Sequence, residues 1–372
     1  MEKKRLASLD ILRGFDLWLL LFFGSIAGAY CRVADNGLAH FLDTYCEHPE
    51  WNGFVLWDII MPLFMFMSGI TIPFSMARYR EGEKPGRAFW VRMAKRFVLL
   101  FFLGWICQGN LLDFDFKVFH PFANTLQAIA VAYVAAAIAY VYGGAKLQYI
   151  VAAVCFTTYF AVFALNGQLD PNMQDNIAMV IDKAILGSHR DGVIWAADGS
   201  WSYDMSYGYT WIFSSLNFIV TGIMGCLTGD LLRNSKKTPE KRALTLLVVA
   251  LVLIVAALAL GEITPINKKI WNNPMTLLAG GISCALMAVV YYIVDVKGWT
   301  KGINWLRYYG TNSIFAYSVA SVISFTSISK SLLFGFQQWL GDYYGVLIAF
   351  SNALILLLIL RYLYKNHIFF KV

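Results

Sequence analysis

Residues 241–261 read KRALTLLVVALVLIVAALALG, and after the two basic residues Thr245 is the single polar side chain in this stretch. The hydrocarbon core of a bilayer is crossed by a helix of about 20 predominantly apolar residues. The stretch therefore predicts a membrane-spanning helix, and other apolar runs of similar length occur along the chain.

The composition extends this interpretation to the whole molecule. Of 372 residues, 59% are hydrophobic and only 14% are charged, and the mean hydropathy is +0.58. A soluble core cannot bury so much apolar surface. We predict an all-α, polytopic membrane protein of about ten transmembrane helices, forming a single domain over residues 1–372. The predicted spans are residues 7–30, 54–77, 90–109, 122–143, 147–165, 211–233, 241–261, 272–295, 304–326 and 343–364.

The basic residues indicate how the chain is oriented. The net charge is +7, but the bases stand in short clusters between apolar runs, so binding of nucleic acid is not expected. With the N-terminus inside, 21 Lys and Arg residues fall in cytoplasmic segments and 7 in outer ones. Because basic residues in short loops resist translocation, we expect both termini in the cytoplasm of a bacterial cell, with the protein in its inner membrane.

Two outer segments, residues 31–53 and 166–210, are long enough to carry a binding site. The second forms an extended periplasmic loop that is rich in Asp, Asn, Gly, Trp and Tyr rather than apolar. Aromatic rings stack on sugars while carboxylates and amides bind hydroxyl groups, so contact with a carbohydrate is one hypothesis for this loop. A simple solvated loop is the other.

His48 is the main catalytic candidate. It stands in a Pro-containing turn at an outer helix end, and Asp58 follows about one turn into the next helix, for which Asn52 is the expected N-cap. A carboxylate beside a histidine fixes its tautomer and raises its basicity. His48 is then suited to accept a proton from an amine or hydroxyl, or to attack a thioester.

Polar groups inside the predicted helices are the next candidates, because ionisable side chains in lipid are costly. Asp10, Arg13 and Asp16 follow each other at three-residue spacing and form either an internal ion pair or, through Arg13, a contact with the phosphate of an anionic cofactor. Asn124 and Gln127 share a helix face and predict hydrogen bonds between helices. No Walker A, G-x-G-x-x-G, G-x-S-x-G or H-E-x-x-H motif occurs, and no metal site is predicted.

Three segments together resemble one known family. They are RLASLDILRG (5–14); HPEWNG (48–53) with DIIMPLF (58–64); and PINKKIW (265–271), followed by VDVKG (294–298) and GTNSI (310–314). Their order and content are similar to those of heparan-alpha-glucosaminide N-acetyltransferase and its bacterial relatives.

The resemblance implies a membrane-embedded transferase that moves acetyl from cytoplasmic acetyl-CoA, its co-substrate, to the amino group of a terminal glucosamine in a heparan sulfate-like or other oligosaccharide acceptor. The family's active-site histidine falls on His48, and we assign Asp58 to orient it. The residues that we assign to the cofactor are Arg13, Asp10, Asn124, Gln127, Asn312 and Ser313. The residues that we assign to the acceptor are Asn267, Lys268, Trp51 and Trp271.

Two positions depart from the family pattern. Gly24 stands where an asparagine commonly assists the histidine, and Ala128 stands where an arginine commonly follows Leu-Gln. Three alternatives therefore stay open: an O-acetyltransferase of an envelope glycan, a sugar transporter with Asp10, Arg13 and Asp58 along its pathway, and a scaffold that has lost catalysis. A homodimer is an additional hypothesis.

Overall fold

The computed structural model describes residues 6–109, 111 and 114–370, without the side chain of Cys46. The α-helices in chain order are α1 (Ala7–Trp18), α2 (Gly24–Cys31), α3 (Gly37–Cys46), α4 (Ile60–Ser75), α5 (Ala77–Arg80), α6 (Arg87–Cys107), α7 (Thr125–Leu165), α8 (Ile177–Leu186), α9 (Ser215–Asn234), α10 (Pro239–Gly261), α11 (Asn273–Tyr291), α12 (Leu306–Thr311), α13 (Ser313–Val322), α14 (Thr326–Leu333), α15 (Gln337–Leu340) and α16 (Tyr344–Lys365).

The remaining regular elements are short. Two antiparallel strands, β1 (Val193–Trp195) and β2 (Trp201–Tyr203), form a hairpin in which Ile194 pairs with Ser202. The π-helical turns are Leu19–Phe23 and Tyr292–Val296, and the 3₁₀ turns are Leu56–Ile59, Phe116–Val118, Gly187–His189, Phe334–Phe336 and Gly341–Tyr343.

The chain is an all-α polytopic membrane protein, as its sequence predicts. Within the described residues, seven helical stretches are long and apolar enough to cross a membrane. They are Ala7–Cys31, Leu56–Ser75, Thr125–Leu165, Ser215–Asn234, Pro239–Gly261, Asn273–Val296 and Thr326–Lys365.

Two of the ten predicted spans, residues 122–143 and 147–165, correspond to the two halves of the 41-residue stretch α7, which are separate helices joined across a kink. The stretch is kinked at Gly144, which has φ 58° and ψ −147°. A side chain there would meet the Arg80 guanidinium, so the kink depends on glycine for both its backbone angle and its space.

The predicted continuous helix over residues 304–326 is wrong. The structure divides this region into α12 and α13, with Asn312 between them at φ −123° and ψ 37°. The Asn312 side chain donates to the Ile368 carbonyl over 3.0 Å and accepts the Phe370 N–H over 2.9 Å. The helix is interrupted where this buried amide bonds to the C-terminal segment.

The contacts divide the chain into two compact units. The first unit comprises Pro49–Phe54 and Met61–Ala288. In it α7 packs along α9, and Gly225 of α9 lies directly on the carbonyl group of Phe66 in α4, where a Cβ would not fit. Such close helix approach is typical of small residues in membrane helices.

The second unit comprises the described residues of 2–48, 55–60 and 289–372. Its main contact is between α1 and α12, where Gly310 lies against the carbonyl group of Asp10. Asp295 accepts the backbone N–H groups of Ala7 and Ser8, each over 3.2 Å, and the Ser8 hydroxyl group also donates to it. This carboxylate therefore caps the start of α1.

Candidate active site

His48 and Asp58 are in direct contact within the second unit. Helix α3 ends at Cys46, and Pro49 follows His48, which favours an extended backbone at the histidine. The distance from His48 Nδ1 to Asp58 Oδ1 is 2.6 Å. The histidine side chain is 38% exposed and the aspartate side chain 1% exposed.

A hydrogen bond to its second oxygen also holds the Asp58 side chain in place. Its Oδ2 atom accepts the backbone N–H of Val55 over 2.9 Å, at the start of the 3₁₀ turn Leu56–Ile59 that leads into α4. The expected N-cap role of Asn52 is therefore wrong, because Val55 is the residue that precedes this turn. The turn that contains Asp58 therefore orients the carboxylate independently of its contact with the imidazole.

The contact defines the chemistry of the histidine. With the Nδ1 proton donated to a carboxylate, the neutral imidazole carries its lone pair on Nε2. The carboxylate also stabilises the imidazolium that forms when Nε2 takes a proton. The pair is thus suited to general-base or nucleophilic chemistry.

The structure shows what occupies the space beside Gly24. A Cβ built at this position would lie 2.6 Å from Cζ2 of Trp57, the residue before Asp58. An asparagine there would require the Trp57 ring to move. Ala128, the second departure, is fully buried in α7.

Four predicted cofactor residues belong to the second unit. Asp10 is buried and Arg13 is half-buried on α1. Asn312 is 1% exposed, with its amide bonded to the C-terminal segment as described above, and Ser313 begins α13. Their role towards a cofactor stays a prediction.

Asn124 and Gln127 form a cap at the start of α7 in the first unit. The Asn124 side chain accepts the Leu126 N–H over 2.9 Å, and Gln127 Oε1 accepts the N–H groups of Ala123 and Asn124 over 2.8 and 3.0 Å. Gln127 is fully buried. These bonds use the side-chain oxygens of both amides within the chain, and a cofactor contact stays a prediction.

The predicted acceptor residues also lie in the first unit. Asn267 is fully buried and donates through Nδ2 to the Trp51 carbonyl over 2.9 Å and to Asn52 Oδ1 over 3.2 Å. Trp271 is 2% exposed and has φ 51°, while Lys268 is half-buried. Asn267 thus bonds to the Trp51 backbone and the Asn52 side chain, whereas the Trp271 indole donates to the Thr221 hydroxyl over 3.4 Å. The role of the four residues towards an acceptor stays a prediction.

Sequence reasoning missed a buried polar cluster in the loop between α7 and α9. Asp182 on α8 is fully buried and accepts the backbone N–H groups of Trp211 and Ile212 over 2.7 and 3.0 Å. Burial outweighs these two bonds and raises the pKa of Asp182 to about 6. The acidic and aromatic composition of the loop was the available signal, but it did not distinguish Asp182 from exposed carboxylates.

Asp191 is the second buried acid of this cluster. Its Oδ2 atom accepts the Trp211 indole N–H over 2.9 Å and also the Tyr207 hydroxyl. Burial raises the pKa of Asp191 above its ordinary value, against the lowering effect of these donors and of Arg190. The loop is therefore a folded element with a polar interior.

Fold and site together define a class: a polytopic, all-α membrane protein with a histidine paired to a buried carboxylate. The chain belongs to the family described as domain of unknown function (DUF5009), whose model matches residues 5–201.

Two curated proteins are distantly similar. Heparan-alpha-glucosaminide N-acetyltransferase of Homo sapiens is 24% identical over 364 residues, covering 84% of this chain and 52% of the human protein. The Mus musculus enzyme of the same name is 22% identical over 422 aligned positions, covering 99% of this chain and 60% of the mouse protein. The chain thus spans between half and three-fifths of the length of the relatives it matches, and these similarities support the family resemblance at a distant level only.

Proposed function

We propose that the chain is a membrane-embedded acetyltransferase that transfers the acetyl group of acetyl-CoA to the amino group of a glucosamine-type sugar, with His48 as the reacting base. The observation that carries this proposal is the 2.6 Å contact between His48 Nδ1 and Asp58 Oδ1. The distant similarity to two N-acetyltransferases supports the class of reaction.

The proposed step balances as a simple acyl transfer. The amine nitrogen of the sugar attacks the thioester carbonyl, a C–N bond forms, and the C–S bond breaks. Nε2 of His48 takes a proton from the attacking nitrogen, and that proton leaves with the coenzyme A thiol. A two-step route, with the acetyl group first on Nε2, uses the same pair of residues.

The residue distribution supports a direction for the transfer. The 21 to 7 excess of basic residues on the proposed cytoplasmic side favours entry of acetyl-CoA from that side. Arg13, a permanent cation on α1, is the proposed contact for its phosphates. Trp51 and Lys268, in the first unit, are the proposed contacts for the sugar on the periplasmic side.

Incubation of the purified protein in detergent with acetyl-CoA labelled in its acetyl group tests this proposal. Glucosamine and N-acetylglucosamine serve as alternative acceptors, since only the first has an amine. We expect alkali-stable label on glucosamine and none on N-acetylglucosamine. Alkali-labile label on either sugar would instead establish O-acetylation, and folded protein that labels neither sugar but carries sugar across a vesicle membrane would establish a transporter.

A further inference from the structure

Helix α6, which corresponds to the predicted span over residues 90–109, carries all its charge in its first half. Its basic residues are Arg87, Arg92, Lys95 and Arg96, and it contains no Asp or Glu. After Arg96 the helix continues only over residues 97–107. At 1.5 Å per residue this apolar part extends about 16 Å, roughly half the hydrocarbon thickness of a bilayer. The basic half therefore lies at the membrane boundary or inside it, where unpaired cations are costly.

The packing of α6 on α7 confirms that the basic half lies beside an apolar span. The first half of α7 belongs to a stretch that is apolar enough to cross a membrane, and α6 packs along it. The Trp90 and Tyr142 rings lie 6.2 Å apart, and the Arg96 guanidinium lies 3.7 Å from the centre of the Tyr133 ring. The two helices are therefore antiparallel, and Arg96 contacts α7 well inside its first half rather than at its end.

The Arg96 guanidinium has a rigid support and an open edge. Tyr133, on which it lies, is 2% exposed and belongs to the hydrophobic core. The Nε atom of Arg96 is buried, but the residue as a whole is only half-buried and its terminal nitrogens reach the surface. Among the described residues no group accepts a hydrogen bond from these nitrogens. Their N–H groups are therefore available to a ligand from outside the helix pair.

Arg92 and Lys95 add two exposed cations next to Arg96. Arg92 stands four residues before Arg96, and side chains at this helical spacing are neighbours, with Cβ atoms about 5–6 Å apart. Neither α6 nor α7 contains an acidic residue, so neither helix compensates the repulsion between the two guanidinium groups. By contrast, Arg78 in the preceding helix is paired with Glu83 over 3.4 Å. An anion that bonds to both Arg92 and Arg96 would remove their repulsion.

The chemistry of these groups favours the phosphate of an anionic lipid. Guanidinium groups bind phosphate oxygens in bidentate fashion, and one phosphate has enough oxygens for Arg92 and Arg96 together. The exposed side chains around them are apolar, since Val91, Val98 and Phe102 are 55%, 61% and 44% exposed, and acyl chains cover such surface in a membrane. A zwitterionic lipid would bring its own ammonium group to the same cations, and α6 and α7 have no carboxylate to accept it.

The position of the two arginines along α6 fits the depth of a lipid headgroup. Trp90 and Tyr142 are 47% and 51% exposed, and Trp and Tyr side chains at the ends of membrane helices are typical of the interface. Arg92 and Arg96 follow Trp90 by two and six residues, which is about 3 and 9 Å along the helix. Because helical side chains lean towards the N-terminus, here towards Trp90, both arginines extend from the hydrocarbon towards the headgroups.

We propose that Arg92 and Arg96 form a binding site for the phosphate of an anionic phospholipid. Tyr133 supports the Arg96 guanidinium, and the acyl chains of the lipid lie along Val98 and Phe102. The site lies within the first unit and uses none of the residues assigned to acetyl transfer. It is therefore independent of the proposed transferase function.

Native mass spectrometry of the full chain, released from detergent, measures lipid binding directly. The probes are phosphatidylglycerol and phosphatidylcholine with identical acyl chains, and coenzyme A is the soluble phosphate-bearing competitor. We expect wild type to retain phosphatidylglycerol under conditions that remove phosphatidylcholine, with or without coenzyme A. Equal retention of the two lipids would overturn the proposal. Displacement of phosphatidylglycerol by coenzyme A would overturn it as well, because the site would then serve a soluble phosphate.

Arg96→Gln and Arg92→Gln each remove one cation, and Arg92 is exposed, so its loss leaves the core intact. We expect about fivefold weaker binding of phosphatidylglycerol in each variant, and a smaller rise in melting temperature when this lipid is added. Arg361→Gln is the matched control, because it removes an exposed arginine from α16, and it should bind as wild type does. If both α6 variants bind phosphatidylglycerol as wild type does, Arg96 only packs on Tyr133 and the proposal is wrong.

Discussion

Two histidine–aspartate pairs lie close together in the sequence and differ in almost every physical respect. His40 Nε2 is 3.0 Å from Asp35 Oδ1, and the two side chains are 74% and 93% exposed. His48 Nδ1 is 2.6 Å from Asp58 Oδ1, and that aspartate is 1% exposed. The residue types are the same, but only one carboxylate has been removed from water.

The difference shows why proximity of a histidine and an acid is not enough for function. An exposed ion pair contributes little to stability, because water and salt screen the charges and both side chains lose rotational freedom. The Asp58 carboxylate accepts the Val55 N–H and is shielded from solvent. It therefore keeps a fixed position beside the imidazole. The exposed pair of His40 and Asp35 is therefore the internal control for His48 and Asp58.

The largest expected effect is that of His48→Ala. Loss of the base should lower kcat/KM for acetyl transfer by about 10³-fold, within the range for removal of a general acid–base group. His40→Ala should stay within about twofold of wild type. Steady-state transfer to glucosamine measures both variants, with melting temperatures as the check on folding, and equal losses in the two variants would contradict the comparison.

The next effect is that of Asp58→Asn, for which we expect about a hundredfold lower kcat. The amide has one acceptor for two donors, His48 Nδ1–H and the Val55 N–H, and its own N–H₂ group favours the tautomer with the proton on Nε2. Asp35→Asn is the matched control and should have wild-type kcat. If kcat of Asp58→Asn equals that of wild type, the buried carboxylate does not orient His48.

The contrast between buried and exposed acids extends to the loop between α7 and α9. Burial raises the pKa of Asp182 to about 6, above its value of 3.8 in an unfolded chain, so the folded protein binds this proton more tightly. The contribution of Asp182 to folding is therefore most favourable below pH 3.8 and weakens by roughly 3 kcal/mol as the pH rises past 6.

Thermal unfolding of Asp182→Asn at pH 4 and pH 7 tests this sign. Relative to wild type, the variant should gain stability between pH 4 and pH 7, because it lacks the buried charge. Asp198→Asn is the exposed control, since bonds from Ser200 lower the pKa of Asp198, and it should show no such gain. If the difference in melting temperature between wild type and Asp182→Asn is the same at pH 4 and pH 7, burial does not raise the pKa of Asp182.

The smallest expected effect concerns Ser8. Ser8→Ala removes the hydroxyl donor to Asp295 but keeps the two backbone N–H bonds, so the loss should be about 1 kcal/mol of stability with kcat unchanged. Ser25→Ala is the control, because the Ser25 hydroxyl donates to the Leu21 carbonyl four residues earlier and makes no contact with Asp295 in the described part of the chain. Equal melting temperatures for Ser8→Ala and Ser25→Ala would show that the capped start of α1 does not depend on this hydroxyl.

The apolar runs predicted most helices because lipid imposes a length of about 20 residues on each span. The error occurs where a distant contact decides the local structure. Asn312 interrupts the predicted helix over residues 304–326, because its amide bonds to the C-terminal segment. This contact has no signal in the local hydropathy.

In the candidate site, too, local contacts were predicted and distant contacts were missed. His48 and Asp58 are ten residues apart, so a turn followed by a helix start was enough to predict their contact. Asp295 and Ser8 are 287 residues apart, and the bonding of Asp191 depends on a loop fold with no repeating pattern. Sequence reasoning therefore found the locally formed pair and missed the polar groups that tertiary structure assembles.

Chemical rescue of His48→Gly by imidazole tests the central claim most directly, because it returns only the base that the account requires. Transfer of labelled acetyl to glucosamine should be nearly absent in this variant and should rise with imidazole concentration, while His40→Gly neither loses activity nor responds. Transfer by His48→Gly at the wild-type rate without imidazole would contradict the role of His48.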